Sequence, residues 1–590
     1  MLTERVSTYR RNNLVARMDD CIAAATSRLL GGQTAAGYWE GELAASPFAT
    51  ALAMIALALL DRTIHSREIT RAAQWLLDHQ NSDGGWGDTD ISPSNPAATL
   101  LSLAAFKIAG SGPRRYHEGV RQARQYLKYF SSASLEKHYG GDRTFADPIR
   151  AIGALAGFLD WREAGRLPFE VVLLPSALAK AASLPVVSFS LPILIAIGIL
   201  QHHRNPSRNL LIRALRHLAI SKGSELLRRL QPAHGGFLES PVCTSLVITG
   251  LVAGGFRDSI EMENSANFLL QGQRGDGSWP IVTNLSVWNT TLSLRTLAEA
   301  GFDRSDRRVD QAVRWLERQC RERRDVFTGG MAHGWTWTHL DGGLVDADDT
   351  ANAILALADF ATLPPAGGST ATWMMESVTW LKSLQNADGG WPTFSKGSGS
   401  LAFDRSSVDI TSNVAEVFAR VPGASGSNEV SRGLSYIYQA QGQDGSWDPL
   451  WFGNEFAGLR TNSFYGTYKA LGFLSAAGRG DSARVDRGLA WIVKRQNRDG
   501  GWGLGRNGAS SPEETSFALL GLLANKRAFH PEISEAAARG VEWLMENQNS
   551  DGSWEATPVG IYCEALWYYE KTYPLAYPLK ALAMYRKTYA

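Results

Sequence analysis

The sequence predicts an all-α protein whose helix pairs close into two α/α barrels. Three observations predict this fold: a motif repeats along the chain, helical apolar spacing flanks its copies, and signals for β-strands are nearly absent. The motif is a Gln, a short polar spacer, Asp-Gly and then Trp. Clear copies begin at Gln80, Gln273, Gln385, Gln441, Gln496 and Gln548, and weaker copies begin at Gln33, Gln231 and Gln319.

Each clear copy follows a stretch with helical apolar spacing, such as 73–77 before Gln80, and a second such stretch comes next, such as 516–523 after Gln496. The last four glutamines follow one another at intervals of 56, 55 and 52 residues, which is long enough for two helices and two connections. Asp-Gly supplies the turn, because glycine tolerates positive φ and aspartate bonds its own backbone. We therefore interpret the motif as structural, with Gln and Trp packing over the helix ends of neighbouring repeats.

Composition and charge exclude several classes of protein. A chain of 590 residues, 44% of them apolar, exceeds one hydrophobic core and predicts two or more domains. The net charge is +1, from 59 basic and 58 acidic residues, so no long-range field attracts nucleic acid. The cysteines lie far apart without a C-x-x-C pair, which favours free thiols in a reducing compartment over disulfides or a zinc site. They are Cys21, Cys243, Cys320 and Cys563.

The hydropathy pattern predicts neither export nor a membrane span. Residues 1–20 carry charge throughout and lack the apolar core of a signal peptide. No run approaches the roughly 18 apolar residues that a span requires. The most apolar stretch, 191–200, suits a buried helix or a segment that dips into one leaflet, and both interpretations stay open.

The acidic run Asp346–Ala351, which reads D-A-D-D-T-A, comes directly before the apolar run 353–357. One interpretation is a helix N-terminus, where the helix dipole and unpaired N–H groups favour acidic residues. The other is catalytic, because crowded carboxylates raise one another's pKa and can leave one protonated to act as an acid. The repeat is also extended here, with 66 residues between Gln319 and Gln385, and inserted loops are typical places for function.

The repeats and the D-A-D-D-T-A run together resemble the squalene–hopene cyclase and oxidosqualene cyclase family of class II terpene cyclases. The resemblance covers essentially the whole chain and includes W-F-G at 451–453 and Y-G-T at 465–467. It implies two α/α barrels that enclose a large apolar cavity and bind one membrane leaflet. It also implies proton-initiated cyclisation of a linear polyprene, either squalene or a similar terpenoid or prenylated aromatic.

Such a reaction places clear demands on the acid. Protonating an isolated alkene requires a strong acid in a dry pocket, because water would trap the tertiary carbocation. A carboxylic acid can serve if its neighbours keep it protonated beforehand and stabilise its anion afterwards. By motif position, the resemblance implies Asp348 as the proton donor and a supporting set made of Asp346, Asp349, Asp409 and Tyr465, the last of which helps to return the proton.

One position departs from the family pattern. Asn413 stands four residues after Asp409, where squalene–hopene cyclases have a histidine that pairs with the acid. An amide donates a hydrogen bond to a carboxylate but brings no positive charge, so it should stabilise the anion less. This departure leaves the substrate open, and a simple helix-capping role for Asn413 is the alternative.

Aromatic residues are the second requirement, because their faces attract cations without offering a lone pair that would capture them. The resemblance implies that four such residues line the cavity: Trp288, Trp337, Phe394 and Tyr562. For each of them ordinary core packing is the alternative. The segment 558–562, which contains Tyr562, departs from the family pattern.

The repeat spacing and the resemblance together predict three segments. Residues 1–24 form a helix that packs with the catalytic domain, residues 25–283 an inserted α/α barrel, and residues 284–590 the catalytic barrel. The expected partners are a polyprenyl substrate and the surface of one leaflet, on the cytoplasmic face of the membrane. No nucleic acid, metal or cofactor is expected, and a homodimer stays open.

Three other functions compete with this one. A relative of the protein prenyltransferase β-subunit would share the barrel, but it needs a zinc site of Asp, Cys and His that no local pattern suggests. A terpene synthase that ionises a diphosphate would need a D-D-x-x-D cluster, and the sequence has none. A non-catalytic barrel that only binds a partner would have no reason to keep the acidic run.

Overall fold

The computed structural model describes residues 2–589 apart from short gaps. These gaps are 111–113, 130, 132–133, 136–142, 175–189, 258–259, 325–329, 361–368, 398–401, 422–423, 425, 481, 505–507 and 563–565. Cys563 therefore lies outside the described residues.

Nearly all regular structure in the described residues is α-helical. The helices are α1 (Leu2–Gly31), α2 (Pro47–Asp61), α3 (Ser66–Asp78), α4 (Pro96–Ala109), α5 (Arg114–Tyr126), α6 (Arg143–Leu155), α7 (Leu191–Arg204), α8 (Leu210–Leu230), α9 (Pro241–Ala253), α10 (Ile260–Gly272), α11 (Ser286–Glu299), α12 (Arg307–Glu317), α13 (Ala347–Asp359), α14 (Ser369–Leu384), α15 (Val408–Arg420), α16 (Ser427–Gln439), α17 (Ser463–Ala476), α18 (Ala483–Lys494), α19 (Pro512–Leu523), α20 (Pro531–Glu546) and α21 (Tyr573–Tyr589). Two antiparallel hairpins pair β1 (Arg321–Arg324) with β2 (Met331–Gly334) and β3 (Gly560–Tyr562) with β4 (Leu566–Tyr568).

Five helices close into a first inner ring. α2 packs on α4, α4 on α6, α6 on α7, α7 on α9, and α9 returns to α2. α2 and α9 are buried along almost their whole length, and both are apolar around their full circumference. This is the composition expected of helices that are enclosed by neighbours on every side.

Six helices close into a second inner ring, in the order α11, α13, α15, α17, α19 and α21, and α21 packs back on α11. Outer helices such as α16, α18 and α20 pack behind this ring, and α1 packs on α20 and α21. The predicted all-α fold with two α/α barrels is therefore confirmed. The division at residues 1–24, 25–283 and 284–590 stays a proposal, which the packing of α1 on the second ring supports.

Hydrogen bonds from the repeated motif connect the outer helices to the turns. Gln496 Nε2 donates to the carbonyl of Gly500 in its own turn at 2.7 Å and to that of Ala536 in α20 at 2.7 Å. The indole N–H of Trp502 donates to the carbonyl of Ile492, 10 residues earlier, at 2.9 Å. The same bonds recur in the other clear copies. Gln548 makes its second bond to Cys21 in α1, so the first helix of the chain completes the ring of outer helices.

The weak Gln319 copy is completed by a distant tryptophan. Trp335 donates its indole N–H to the carbonyl of Leu316 at 2.8 Å, as the other motif tryptophans do, and the β1–β2 hairpin is inserted before it. Its backbone N–H donates to Thr350 Oγ1 at 3.0 Å. Thr350 of the acidic run therefore anchors the turn, and the insertion explains why the repeat is longer here.

The apolar stretch 191–200 lies in α7, inside the first ring. Its residues are buried or nearly so, and α7 packs on α9. Of the two interpretations left open, burial is therefore right and contact with a leaflet is wrong for this stretch. Among the helices that the structure describes, none combines the length and the apolarity needed to cross a membrane.

Candidate active site

A cavity opens where the starts of the second-ring helices meet their connecting loops. The empty space between its walls, including the solvent at its open side, is about 830 Å³. Its wall is apolar and aromatic except for Thr393 and the three aspartates of the acidic run. The acidic run is therefore placed at an apolar cavity and not at the protein surface.

Asp346 caps helix α13 and is also part of the cavity wall. Its backbone is extended (φ −132°, ψ 162°), and its Oδ1 accepts a hydrogen bond from the Asp349 N–H at 2.8 Å. Its carboxyl also pairs with the carboxyl of Asp349 through a side-chain hydrogen bond. Asp346 thus both caps the helix and lines the cavity, so the capping and the cavity-lining interpretations do not exclude each other.

Asp348 sits in the first turn of α13 and receives two amide donors on one oxygen. Asn352 Nδ2 donates to its Oδ1 at 2.9 Å, and Asn413 Nδ2 donates to the same atom at 2.6 Å. Asn352 is on the same helix, four residues later, and Asn413 is on α15. This arrangement leaves Oδ2 of a cavity-lining carboxyl to carry a proton.

Burial raises the pKa of each carboxyl in the acidic run. It raises the pKa of Asp348 to about 6, against the effects of the Lys469 charge and the two amide donors. It raises the pKa of Asp349 to about 7, and burial together with the Asp349 charge raises that of Asp346 well above its usual range. Ordinary aspartates are ionised at these pH values, so this cluster has the property that an acid catalyst needs.

The two other predicted members of the acid site lie behind the cavity wall. Asp409 begins α15, is buried, and accepts a hydrogen bond from the Leu450 N–H at 3.3 Å; burial raises its pKa. Tyr465 on α17 is fully buried and stacks on the cavity-lining Phe452, with ring centroids 3.9 Å apart. Asn413 and Asp409 therefore surround the acid, whereas Tyr465 does not line the cavity.

Aromatic side chains form most of the cavity wall. They include all four predicted residues, Trp288, Trp337, Phe394 and Tyr562, and five that the sequence did not single out as lining: Phe403, Trp451, Phe452, Tyr568 and Tyr573. Trp337 meets Phe394 edge to face at 6.4 Å between centroids. The indole N–H groups of Trp288 and Trp337 are buried without a hydrogen bond among the described residues.

Two polar residues beside the acid were missed, Asn352 and Lys469. Asn352 lies four residues after Asp348, and residues with this spacing share a helix face, so the sequence contained a signal. Lys469 is a single charged residue within the otherwise apolar core of α17, and its Nζ donates to Asn413 Oδ1 at 3.0 Å. Its contact to Asn413 joins residues 56 positions apart and has no sequence signature.

Two closed α/α barrels, with a buried carboxyl of raised pKa at an aromatic cavity, define a class II terpene cyclase. The chain belongs to the squalene–hopene cyclase family. Residues 22–237 match the model of the squalene-hopene cyclase N-terminal domain, and residues 285–587 match that of the C-terminal domain. It is an enzyme that cyclises a linear polyprene by proton initiation, and kinship with the prenyltransferase β-subunit is not favoured.

Relatives match along nearly the full length of the chain. A probable squalene–hopene cyclase of Sinorhizobium fredii is 24% identical over 97% of each chain. The squalene–hopene cyclase of Alicyclobacillus acidocaldarius is 26% identical and covers 90% of this chain and 91% of its own. The structure of an ent-copalyl diphosphate synthase from Streptomyces platensis superposes with a TM-score of 0.62 at 19% identity, over 97% of this chain and 99% of that one. That superposition supports the fold alone.

Proposed function

We propose that Asp348 protonates the terminal alkene of an uncharged linear polyprene, and that the cavity aromatics hold the resulting cations during ring closure. The observation that carries this proposal is the position of Asp348, a buried carboxyl with a pKa of about 6 that opens onto an aromatic wall. Asp346 and Asp349 support it as neighbouring carboxyls, and Asn413 and Asn352 bind its anion. Tyr465, behind Phe452, acts indirectly by fixing that part of the wall.

The charge of the wall favours an uncharged substrate. Neither arginine nor lysine occurs among the described residues that line the cavity, so a diphosphate would find no cation there. Burying a dianion without a partner is strongly unfavourable. Squalene and prenylated aromatics, by contrast, present only alkene and aromatic surface or a few hydroxyl groups to such a wall.

A substrate panel tests this proposal. The enzyme is incubated separately with squalene, with a prenylated arene and with geranylgeranyl diphosphate, and products are identified by mass spectrometry. We expect cyclised, isomeric products from at least one of the two uncharged substrates and none from the diphosphate. Cyclisation of the diphosphate alone would contradict the proposed substrate class.

We further propose that helix α8 attaches the protein to one leaflet of a membrane. Five apolar residues in its first half are exposed: Leu210 (76%), Leu211 (77%), Ile212 (38%), Leu215 (48%) and Leu218 (64%). Leu211, Leu215 and Leu218 share one face because they follow the i, i+4, i+7 spacing of a helix. Exposed cations flank them at Arg208, Arg213 and Lys222. An apolar face bordered by cations suits an anionic lipid surface.

This attachment brings an insoluble substrate to the enzyme. The unpaired state of Cys21, Cys243 and Cys320 supports a location on the reducing, cytoplasmic side of the membrane. Replacing Leu211, Leu215 and Leu218 together by Ser is expected to lower binding to anionic vesicles by at least tenfold, because each apolar side chain contributes roughly 1.5 to 3 kcal/mol when buried. Co-sedimentation with vesicles measures the change.

A matched triple substitution at other exposed apolar residues, Ile64, Ile91 and Phe529, serves as the control, since these residues do not share a helix face. It should leave vesicle binding within twofold. Equal loss in both variants, or no loss in the α8 variant, would contradict attachment through α8.

A further inference from the structure

A chain of two hydrogen bonds connects a buried lysine to the acid. Lys469 Nζ donates to Asn413 Oδ1 at 3.0 Å, and Asn413 Nδ2 donates to Asp348 Oδ1 at 2.6 Å. The three residues lie on α17, α15 and α13, which are consecutive helices of the second inner ring. The connection is therefore set by the ring packing itself.

The lysine fixes which way the Asn413 amide faces. A lysine ammonium can only donate hydrogen bonds, so the amide oxygen of Asn413 must face Lys469 and its NH₂ group must face Asp348. In the opposite orientation the amide oxygen would face the acid and favour its protonated form, instead of the anion. Lys469 thus determines that Asn413 acts as a donor toward Asp348.

The charge of Lys469 is available to this chain because no carboxylate neutralises it directly. Lys469 is 8% exposed, and its ammonium makes no salt bridge among the described residues. Its Nζ lies 5.3 Å from the ring centroid of Tyr465 and 5.4 Å from that of Tyr468, where the aromatic faces favour a cation. Burial lowers the pKa of Lys469, and the charge of Asp348 opposes this change.

Two other cations, Arg295 and Lys580, lie near Lys469. Arg295 on α11 lies 3.4 Å from Asp359 and 3.5 Å from Glu416, so two carboxylates balance its charge. Lys580 on α21 borders, together with Lys469, a small cavity separate from the main one, and within the described part of the chain it makes no hydrogen bond with Asn413 or Asp348. Arg295 also reaches the acid through an amide, since its Nη1 donates to Asn352 Oδ1 at 3.1 Å and Asn352 Nδ2 donates to Asp348 Oδ1 at 2.9 Å. Lys469 differs from Arg295 because no carboxylate pairs with it among the described residues, so its charge is not balanced before it reaches the acid.

We infer that Lys469 is a positioning residue for the acid, which supplies through the Asn413 amide the positive charge that stabilises the Asp348 carboxylate after proton transfer. The polarised amide carries the charge across one residue, because hydrogen bonds in a chain strengthen one another in a low-dielectric interior. Asn413 and Lys469 together then supply the donor and the cation that one protonated histidine would supply. This inference rests on the proposed role of Asp348 as the acid.

The pH dependence of turnover tests the inference. Asp348 must be protonated to act, and its pKa is raised to about 6, so wild-type kcat should fall as the pH rises through about 6. Lys469 lowers that pKa, so Lys469→Met should move the fall upward by about one pH unit and lower the low-pH plateau about tenfold. A purely structural defect would lower kcat without moving the pH at which it falls.

Every charged or titratable group around Asp348 enters this interpretation. They are Asp346 and Asp349 on its own helix, Asp409 on α15, Tyr465 and Lys469 on α17, Arg295 on α11, which reaches it through Asn352, and Tyr568, Tyr573 and Tyr577 from the C-terminal segment. Burial raises the pKa of each of these tyrosines, so the tyrosines stay neutral across the relevant pH range.

An infrared titration of the Asp348 carboxyl, assigned by difference from Asp348→Asn, measures the pKa of the same group without turnover.

Three variants distinguish the effect of the Lys469 charge from the orientation of the Asn413 amide and from a general structural defect. Lys469→Gln keeps a donor for Asn413 Oδ1 but no charge, so it should show the upward pKa shift with a smaller loss of kcat. Lys580→Met removes a buried cation of the same cluster without touching Asn413 and should leave the pH profile in place. Lys469→Met combined with Asn413→His should recover activity relative to Lys469→Met alone, because the histidine brings its own charge.

An unshifted pH profile and infrared titration in Lys469→Gln, or an equal shift in Lys580→Met, would overturn the role of Lys469. A double variant no more active than Lys469→Met would also count against it. If the wild type cyclises no polyprene, the proposed function fails, while the infrared shift still decides whether Lys469 acts on Asp348.

Discussion

Asp348→Asn is expected to abolish cyclisation while the protein remains folded. The asparagine keeps the shape of the side chain and can still pair with the amides of Asn352 and Asn413, but it carries no acidic proton. Loss of a general acid typically costs about 10²- to 10⁴-fold in rate. Here the loss should exceed about 10⁴-fold, because water is too weak an acid to protonate an isolated alkene in place of the carboxyl. Product formation by mass spectrometry and thermal unfolding measure the two effects.

The control for this variant is Asp303→Asn, an exposed aspartate that is not part of the cavity wall and whose side chain accepts a hydrogen bond from the Ser305 N–H at 2.7 Å. Asparagine can make the same bond, so activity and stability should be unchanged. In D₂O, wild-type enzyme should place one deuterium on the carbon that accepts the initiating proton. Near-normal turnover by folded Asp348→Asn would move the acid to another residue.

The fold could be predicted from the repeats because each motif residue makes hydrogen bonds to particular backbone carbonyls. Gln496 must reach two carbonyls and Trp502 one, so the residue types recur wherever the geometry recurs. The properties of the acidic run could also be predicted, since the capping of α13 and the crowding of three carboxyls both follow from local spacing. In these places the sequence pattern and the physical requirement coincide.

Other features depend on contacts between distant segments. Tyr465 and Phe452 stack on each other, yet only Phe452 faces the cavity, and no spacing rule distinguishes them. The apolar stretch 191–200 is buried in a ring helix, whereas the less apolar helix α8 exposes its leucines. Hydropathy measures the composition of a helix, but exposure depends on which neighbours cover it.

The acid site also contains a feature that depends on contacts between distant segments, namely the asparagine that stands at position 413 in place of a histidine. From the sequence, Asn413 lacks the positive charge that a histidine would bring, and this suggested a weaker acid site. The structure places the ammonium of Lys469 against the oxygen of that amide at 3.0 Å. A charge lost at one position is thus present on the next helix of the ring, and only the packing of α15 against α17 reveals it.

Trp288→Ala is expected to release prematurely terminated, partly cyclised products while initiation continues. Trp288 lines the main cavity, and the backbone N–H of the residue before it donates to the Trp337 carbonyl at 3.1 Å, so the two indoles share one region of the wall. A desolvated cation over an indole face gains about 2 kcal/mol or more, which corresponds to roughly a 30-fold change in rate. Without that face, a cation formed partway along the polyprene should lose its proton before the next ring closes.

Two further variants separate the aromatic face from its bulk. Trp288→Phe keeps an aromatic face and should retain most of the fully cyclised product, whereas Trp288→Leu fills much of the space without one and should release the same truncated products as Trp288→Ala. Asp348 is intact in all three, so total substrate consumption should fall far less than in Asp348→Asn. If Trp288→Leu gave the wild-type product pattern, the role of Trp288 would be to fill space, and the cation would be stabilised elsewhere on the wall.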